Sequence, residues 1–462
     1  MTRKSLIAAV LLCLVLLQLN GCSPLGADSG PGSKANEAAA VNPAKDWKKA
    51  ANAQIERLRK RNAEILVVGL NGKPLPGATV RAVQRTHQFG FGTAINRTAL
   101  TDPVYADFVK HHFEWVTFEN ESKWLWNESS PGNVSYREAD QLLEFAAQNG
   151  LKVRGHNLFW EAEQFQPQWV KSLTGPELKA AVDNRLNSAV PHFKGKFVHW
   201  DVNNEMFHGS FFKDRLGESI WSYMYSRTRE LDPDAKLFIN DYNLIEYPPE
   251  RDYNKEIQAW IDQGVPIDGI GAQGHFNGTV NPVFVKGRLD KLAELKRPIW
   301  ITEFDSVNAN ENVRADNLEA MYRVAFAHPA VEGIVMWGFW AGSQWKGAAA
   351  SIVNEDWTLN AAGRRYLQLM DEWTTNVQGT TGKDGKFKFR GFQGTYDIIV
   401  DYPDAAAVKQ TLTLTPGSTV MRLKIPFDVH NKSVPEQPAE LSAVAADSRV
   451  ILSWDEAEGA TG

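Results

Sequence analysis

Eight short apolar runs recur through the middle of the chain, at residues 89–95, 115–118, 153–160, 197–202, 236–240, 269–273, 299–302 and 333–337. Each is strand-like and ends in polar sequence. Between them, stretches such as 136–149, 176–193, 219–231 and 317–328 carry apolar residues at helical spacing. Strand and helix therefore alternate. Eight repeats within residues 89–375 match one closed α/β unit, a (β/α)8 TIM barrel. A doubly wound open sheet is the other α/β arrangement, and it does not need eight polar-tipped strand ends.

The pattern differs on both sides of this region. Residues 46–62 read as a charged helix with Ile55 and Leu58 among its few apolar points. Residues 63–88 hold two apolar segments, around Ile65 and Val80, which bracket a turn-forming stretch from Asn71 to Gly77. This predicts a β-hairpin. Residues 376–428 return to short alternating segments with glycine-rich turns. Segments 382–389 and 394–400 resemble the later half of a carboxypeptidase regulatory-like (prealbumin-type) β-sandwich, and the hairpin resembles its opening half. Together they are expected to form one small accessory β-sandwich, split in sequence by the inserted barrel. Residues 429–462 are expected to be a linker and an incomplete segment that resembles the first two strands of a fibronectin type III module.

The amino-terminal pattern is of another kind. Arg3 and Lys4 precede an apolar run that is too short to span a membrane and ends in Leu19-Asn20-Gly21-Cys22. This resembles a bacterial lipoprotein signal, residues 1–22, with Cys22 as the lipidation site. Cys13 and Cys22 are the chain's 2 cysteines, so the mature protein is expected to have no disulfide. Residues 23–45 read as a flexible tether. The expected location is the cell envelope, at the outer membrane or cell surface, with the membrane reached through the lipid anchor only.

Composition changes the picture little, apart from tryptophan. A hydrophobic share of 43% and a charged share of 23% are ordinary globular values. A formal net charge of −5 gives no reason to expect nucleic acid as a partner. Of the 16 tryptophans, only Trp47 and Trp454 fall outside the barrel region. Core packing explains several. Stacking platforms for sugar rings would explain those near strand ends. His111, His112 and His192 lack the spacing of paired metal ligands, and no cysteine cluster exists. No metal or cofactor is expected, and the protein is expected to be monomeric.

The candidate chemistry lies at two strand tips, Trp200-Asp201-Val202-Asn203-Asn204-Glu205 and Ile301-Thr302-Glu303-Phe304-Asp305. A glycosidic bond is usually cut by two carboxyl groups, one protonating the leaving oxygen and one attacking or assisting at the sugar carbon. The fourth and seventh strands of a barrel face each other across its mouth, so the two tips can bracket one bond. Gln273 and His275, two residues apart, point from one face of a strand.

Several motifs, in order, then resemble glycoside hydrolase family 10, the endo-1,4-β-xylanase family. They are Phe91-Gly92-Thr93-Ala94-Ile95-Asn96, Glu119-Asn120-Glu121-Ser122-Lys123-Trp124, Arg154-Gly155-His156-Asn157-Leu158-Phe159-Trp160, the Glu205 segment, Gly271-Ala272-Gln273-Gly274-His275, the Glu303 segment and Trp337-Gly338-Phe339-Trp340. The Phe-Trp-Glu and Asn-Asn-Glu-Met variants look closest to the plant-type branch. The resemblance implies a retaining double displacement, with Glu205 as acid/base and Glu303 as nucleophile. It implies that Asn204 binds the sugar 2-hydroxyl and that His275 holds Glu303. Glu119, Asn120, Lys123, His156 and Gln273 become sugar-binding positions. Trp160, Trp337 and Trp345 become walls and floor. Trp124 and Trp126 stay open between platform and core. The family commonly has His after the third-strand tryptophan, whereas Glu161 stands here. It adds a carboxylate near the site; whether the side chain points inward, and so alters contacts or the pH profile, stays open.

The expected substrate is xylan or a related β-1,4-linked plant polysaccharide. The same chemistry on mixed-linkage glucan or an aryl β-glycoside remains open. So does a non-catalytic surface glycan-binding role.

Overall fold

The computed structural model describes residues 43–431 and, as backbone only, the strands Ser442–Ala446 and Arg449–Ser453. The expected signal segment, Cys22 and residues 23–42 of the expected tether lie outside the described residues. The helix Pro43–Arg59 leads directly into strand β1 (Lys60–Gly69). It therefore takes the last tether positions and stops earlier than its charge pattern suggests. Tertiary contacts decide the stop. The Arg59 guanidinium donates to the carbonyls of Phe326, His328 and Val331, each at 2.8 Å, and Lys60 already pairs with Phe392 in a sheet.

After β2 (Thr79–His87) come the barrel strands: β3 (Gly90–Ile95), β4 (Trp115–Phe118), β5 (Lys152–Trp160), β6 (His199–Asn204), β7 (Lys236–Asp241) and β8 (Gly269–Ala272). A two-residue strand, β9 (His275–Phe276), precedes β10 (Ile299–Ser306) and β11 (Val331–Met336). Neighbours pair in parallel, and β11 pairs with both β10 and β3, so the eight long strands close into a barrel. Strands β4, β6 and β8 are buried at every position, as parallel strands covered on both faces should be. Strand β10 extends past Glu303 to Ser306, because Asp305 and Ser306 pair with β9. Glu303 thus sits inside a strand rather than at its end.

Large rings fill the closed end of the barrel. Trp115, Phe238, Trp300 and Val335 form one buried cluster, with the Trp115 and Trp300 rings 4.7 Å apart. Trp300 fits because Gly90 and Gly333 stand beside it. A Cβ on either glycine would collide with its ring.

The accessory strands are β12 (Asn376–Thr380), β13 (Lys386–Phe392), β14 (Gly394–Tyr402), β15 (Ala405–Leu414) and β16 (Met421–Phe427). They make two sheets, β13-β1-β16 and β12-β2-β14-β15. Ile65, Val67, Val80, Ala82, Ile398, Val400 and Leu414 share one core between them. The expected hairpin is not formed. β1 and β2 lie in different sheets and meet through side chains instead of backbone bonds. The connecting segment explains this. It contains Pro74 and Pro76, which offer no N–H to a ladder, and its backbone bonds run from Leu75 to Val67 and from Gly77 to Thr381. In the tail, β17 (Ser442–Ala446) and β18 (Arg449–Ser453) pair antiparallel. The rest of the expected fibronectin-like segment lies outside the described residues.

Replacing Gly333 by Ala should destabilise the protein by about 1–3 kcal/mol, because a packed ring must move. Denaturant unfolding of the two proteins checks this, and equal midpoints would contradict the tight fit.

Candidate active site

Strand β6 delivers Asn203 and Asn204 to the barrel mouth, and Glu205 follows with φ of 59°. That left-handed conformation costs a non-glycine residue on the order of 1–3 kcal/mol and persists only where its surroundings enforce it. Here they do. The Glu205 N–H donates to the Asn240 carbonyl at 2.9 Å, and the Glu205 carbonyl accepts from Gly209 N at 2.9 Å. The Glu205 carboxyl is thereby aimed between two donors, Trp160 Nε1 at 2.7 Å and Gln273 Nε2 at 3.1 Å. Burial pushes its pKa up to about 7, helped by the negative charge of Asp241 and, less, of Glu303, while the two donors oppose the rise.

Glu303 has the opposite environment. Asn240 Nδ2 donates to its Oε1 at 2.7 Å. His275 Nε2 lies 3.4 Å from its Oε2, and His156 Nδ1 lies 4.0 Å from its Oε1. Burial alone would raise its pKa. The positive charge of His156, the hydrogen bond and charge of His275, and Asn240 outweigh burial and hold it at about 2. His275 is itself kept cationic. Burial would strip its proton, but Asp305, 2.9 Å from Nδ1, and Glu303 raise it to about 9. Trp345 Nε1 and Lys346 Nζ also donate to Asp305, at 2.9 and 3.0 Å. Two buried carboxyls with pKa values driven apart are how one site holds an acid and an anion together at neutral pH.

Both carboxyls line a cleft of about 630 Å³, together with Glu119, Asn120, Lys123, His156, Trp160, Gln273, His275, Trp337 and Trp345. Every barrel residue given a catalytic or binding role from sequence lines it, with one exception. Asn204 alone sits beneath the cleft floor, buried, with its side chain 2.8 Å from Asn240. Lys123 Nζ lies 3.4 Å from Asn120 Oδ1 and over the Trp160 ring. Burial lowers its pKa, while Glu303, Glu119 and Glu205 work the other way. His156 accepts its orientation from Asp201, 2.9 Å from Nδ1. The two open tryptophans separate. Trp124 is buried and donates to Glu128 at 2.8 Å, whereas Trp126 is 56% exposed and lines the cleft.

Glu161 does not enter the cleft. It is buried behind β5, where its carboxylate accepts from Asn203 Nδ2 at 2.7 Å, from Phe212 N at 3.0 Å and from Trp221 Nε1. Its side chain ties the tips of β5 and β6 to the helices that follow. The sequence left its direction open, and the fold turns the carboxylate away from the cleft. A side chain next to Trp160 on a strand points to the opposite face.

Sequence reasoning passed over Asn240, Asp241 and Asp305, although each shapes one of the two carboxyls. A signal existed for the first pair: Phe238-Ile239-Asn240-Asp241-Tyr242 is an apolar run ending in polar residues. Leu125, Phe165, Tyr242, Asn243, Tyr247, Asn277 and Lys346 also line the cleft. Leu125 and Phe165 sit on short helical turns and the others come from loops, where no periodicity marks them. Among the described residues, no three His, Cys, Asp or Glu side chains are grouped as a metal site would need.

The model of glycosyl hydrolase family 10 matches residues 80–364. Anti-sigma-I factor RsgI6 of Acetivibrio thermocellus is 56% identical over 377 residues, covering 81% of this chain and 49% of that protein. Endo-1,4-beta-xylanase 2 of Arabidopsis thaliana is 41% identical, covering 75% of this chain and 33% of the relative. Endo-1,4-beta-xylanase 3 of Hypocrea jecorina is 33% identical, covering 59% of this chain and 79% of the relative. This chain thus spans about half or less of the first two relatives. Among solved structures, xylanase 10B of Thermotoga petrophila in complex with xylobiose superposes with a TM-score of 0.58 at 25% identity, covering 62% of this chain and 94% of that one.

Trp160→Phe removes a donor to the ionised form of Glu205 while keeping most of the bulk. The Glu205 pKa should rise by roughly one unit above the present value of about 7. Carbon-13 NMR titration of labelled glutamate reads this directly, and an unchanged or lower value would show that the bond is not felt.

Proposed function

The chain belongs to glycosyl hydrolase family 10, and from that premise we propose that it cleaves internal β-1,4-xylosidic bonds of xylan with net retention. The observation that carries this reading is the opposed titration of two carboxyls in one cleft, Glu205 at about 7 and Glu303 at about 2. Glu303 attacks the anomeric carbon as an anion. Glu205 protonates the departing oxygen in the same step, leaving a glycosyl ester on Glu303. Esterification removes the Glu303 charge. Glu205 then loses one of the influences that raise its pKa, becomes a better carboxylate, and takes a proton from the water that hydrolyses the ester.

The binding roles belong to the same proposal. Glu119, Asn120, Lys123 and His156 receive sugar hydroxyls on one side of the bond. Trp160, Trp337 and Trp345 offer ring faces, and Asn204 acts at the floor near the 2-hydroxyl. Within the family we place the chain near the plant-type branch, on its Phe159-Trp160-Glu161 and Asn204-Glu205-Met206 sequences and its likeness to the Arabidopsis proteins. Lipid on Cys22 would hold the protein at the cell envelope.

A second reading has its own observation. The relative at 56% identity carries the name of an anti-sigma factor. In that reading the same cleft serves as a glycan receptor in signalling.

Incubation with xylan, mixed-linkage glucan and carboxymethyl cellulose, with assay of reducing ends, separates the readings. Release from xylan is expected; binding without release favours the receptor. Glu303→Ala should lower turnover by roughly 10³-fold or more with little change in stability, and retained turnover would remove Glu303 as nucleophile. Cys22→Ser should move the protein from the membrane fraction to the soluble one, and unchanged fractionation would rule out the anchor.

A further inference from the structure

The outer face of the sheet β13-β1-β16 carries a surplus of positive charge. Its register sets the rows. Asn62 pairs with Arg390, Glu64 with Lys388 and Leu66 with Lys386 on one side. Glu64 pairs with Arg422 and Leu66 with Lys424 on the other. Alternation turns Ala63, Ile65, Val67, Phe387, Phe389 and Leu423 into the sandwich. The residues between them, with Lys60, face outward.

Six cations and two carboxylates result. Glu56 serves Lys60 at 2.9 Å and Arg390 at 2.7 Å. Glu64 is shared by Lys386 at 3.1 Å, Arg422 at 3.4 Å and Lys388 at 3.8 Å. One carboxylate cannot neutralise three cations. The Lys388 and Arg422 side chains remain 67% and 72% exposed. Lys386 and Lys424 flank Leu66, where opposite charges would have been the stabilising choice. The outer face of the other sheet is different. There Arg81 meets Asp401, and Arg85 and Lys409 meet Asp397. The surplus is thus local, on a chain whose formal net charge is −5.

We propose that this face of the accessory sandwich binds an acidic polysaccharide. Three observations select that partner. The one aromatic at an outward position, Phe392, is buried with Lys60 over its ring, so this face exposes no ring on which a neutral sugar could stack. The cations stand in two rows roughly 10 Å apart, two strand spacings, and repeat about every 7 Å along each strand. That array matches carboxylates carried repeatedly by an extended polymer. Resting on the xylan reading, the natural form is xylan bearing uronic-acid side groups, held by its charges while the cleft works on the neutral backbone.

The test uses the full chain and the double variant Lys388→Glu with Lys424→Glu, which leaves the cleft untouched. Affinity electrophoresis is run in gels containing polygalacturonate, glucuronoxylan or neutral arabinoxylan. Polygalacturonate has uronate charge but no xylosidic bond, so its binding is independent of hydrolysis. Turnover of a neutral xylo-oligosaccharide, measured separately, should be equal in both proteins and reports on the cleft alone. Polygalacturonate is expected to retard the parent, about tenfold less the variant, and neither at about 1 M salt, where the screening length is about 3 Å. Arabinoxylan should treat both proteins alike. Equal retardation of parent and variant by polygalacturonate would overturn the proposal. So would binding to vesicles containing phosphatidylglycerol without binding to either acidic polymer, which would make the face a membrane contact.

Discussion

Two carboxyl groups buried near one another cannot both be charged unless cations are brought to them. That constraint organises this molecule. Glu303 is the one given imidazoles, His156 at 4.0 Å and the cationic His275 at 3.4 Å. Each imidazole is held by an acid of its own, Asp201 at 2.9 Å and Asp305 at 2.9 Å. Glu205 receives neutral donors and a buried anion, Asp241, so its proton stays near neutrality. Asn240 stands between them, bonding Glu303 and Asn204 with one amide and holding the Glu205 N–H with its carbonyl.

This arrangement needs a frame that does not relax. The site draws on β4 through β11, so any drift between strands would change its distances. Rings at the closed end, Trp115 and Trp300 above all, wedge the strands apart at fixed spacing, and glycines on β3 and β11 let Trp300 seat. Nearer the mouth, Glu161 performs a similar task. Its carboxylate takes three donors from β6 and the following helices. The residue therefore acts on the site by fixing the strand tips that carry Trp160 and Glu205.

The barrel and the sandwich share chain without sharing chemistry. The helix Pro43–Arg59 and β1 run between them, and Arg59 fastens that junction to the barrel through three carbonyls. The β-sandwich has its own core and two outer faces of unlike charge. This gives one polypeptide two surfaces: a cleft that holds two opposed carboxyls and a sheet face rich in cations.

Much of this was legible in the residues themselves. Periodicity alone placed eight strands and the helices between them, because a strand buried on both faces has to be short and apolar. Glu205, Glu303, Gln273 and His275 stood out because polar residues at the ends of such strands have few other reasons to be there. The motif order gathered Glu119, Lys123, His156 and the tryptophans around them. Other features needed the fold. Whether β1 and β2 paired or faced each other depended on a partner more than 300 residues away, Phe387 opposite Ile65. The direction of Glu161, the cationic state of His275 and the depressed titration of Glu303 depended on neighbours from other strands. Sequence fixes which groups are available and how each segment alternates. Their energies in the site come from distances between segments, and those distances exist only once the barrel has closed.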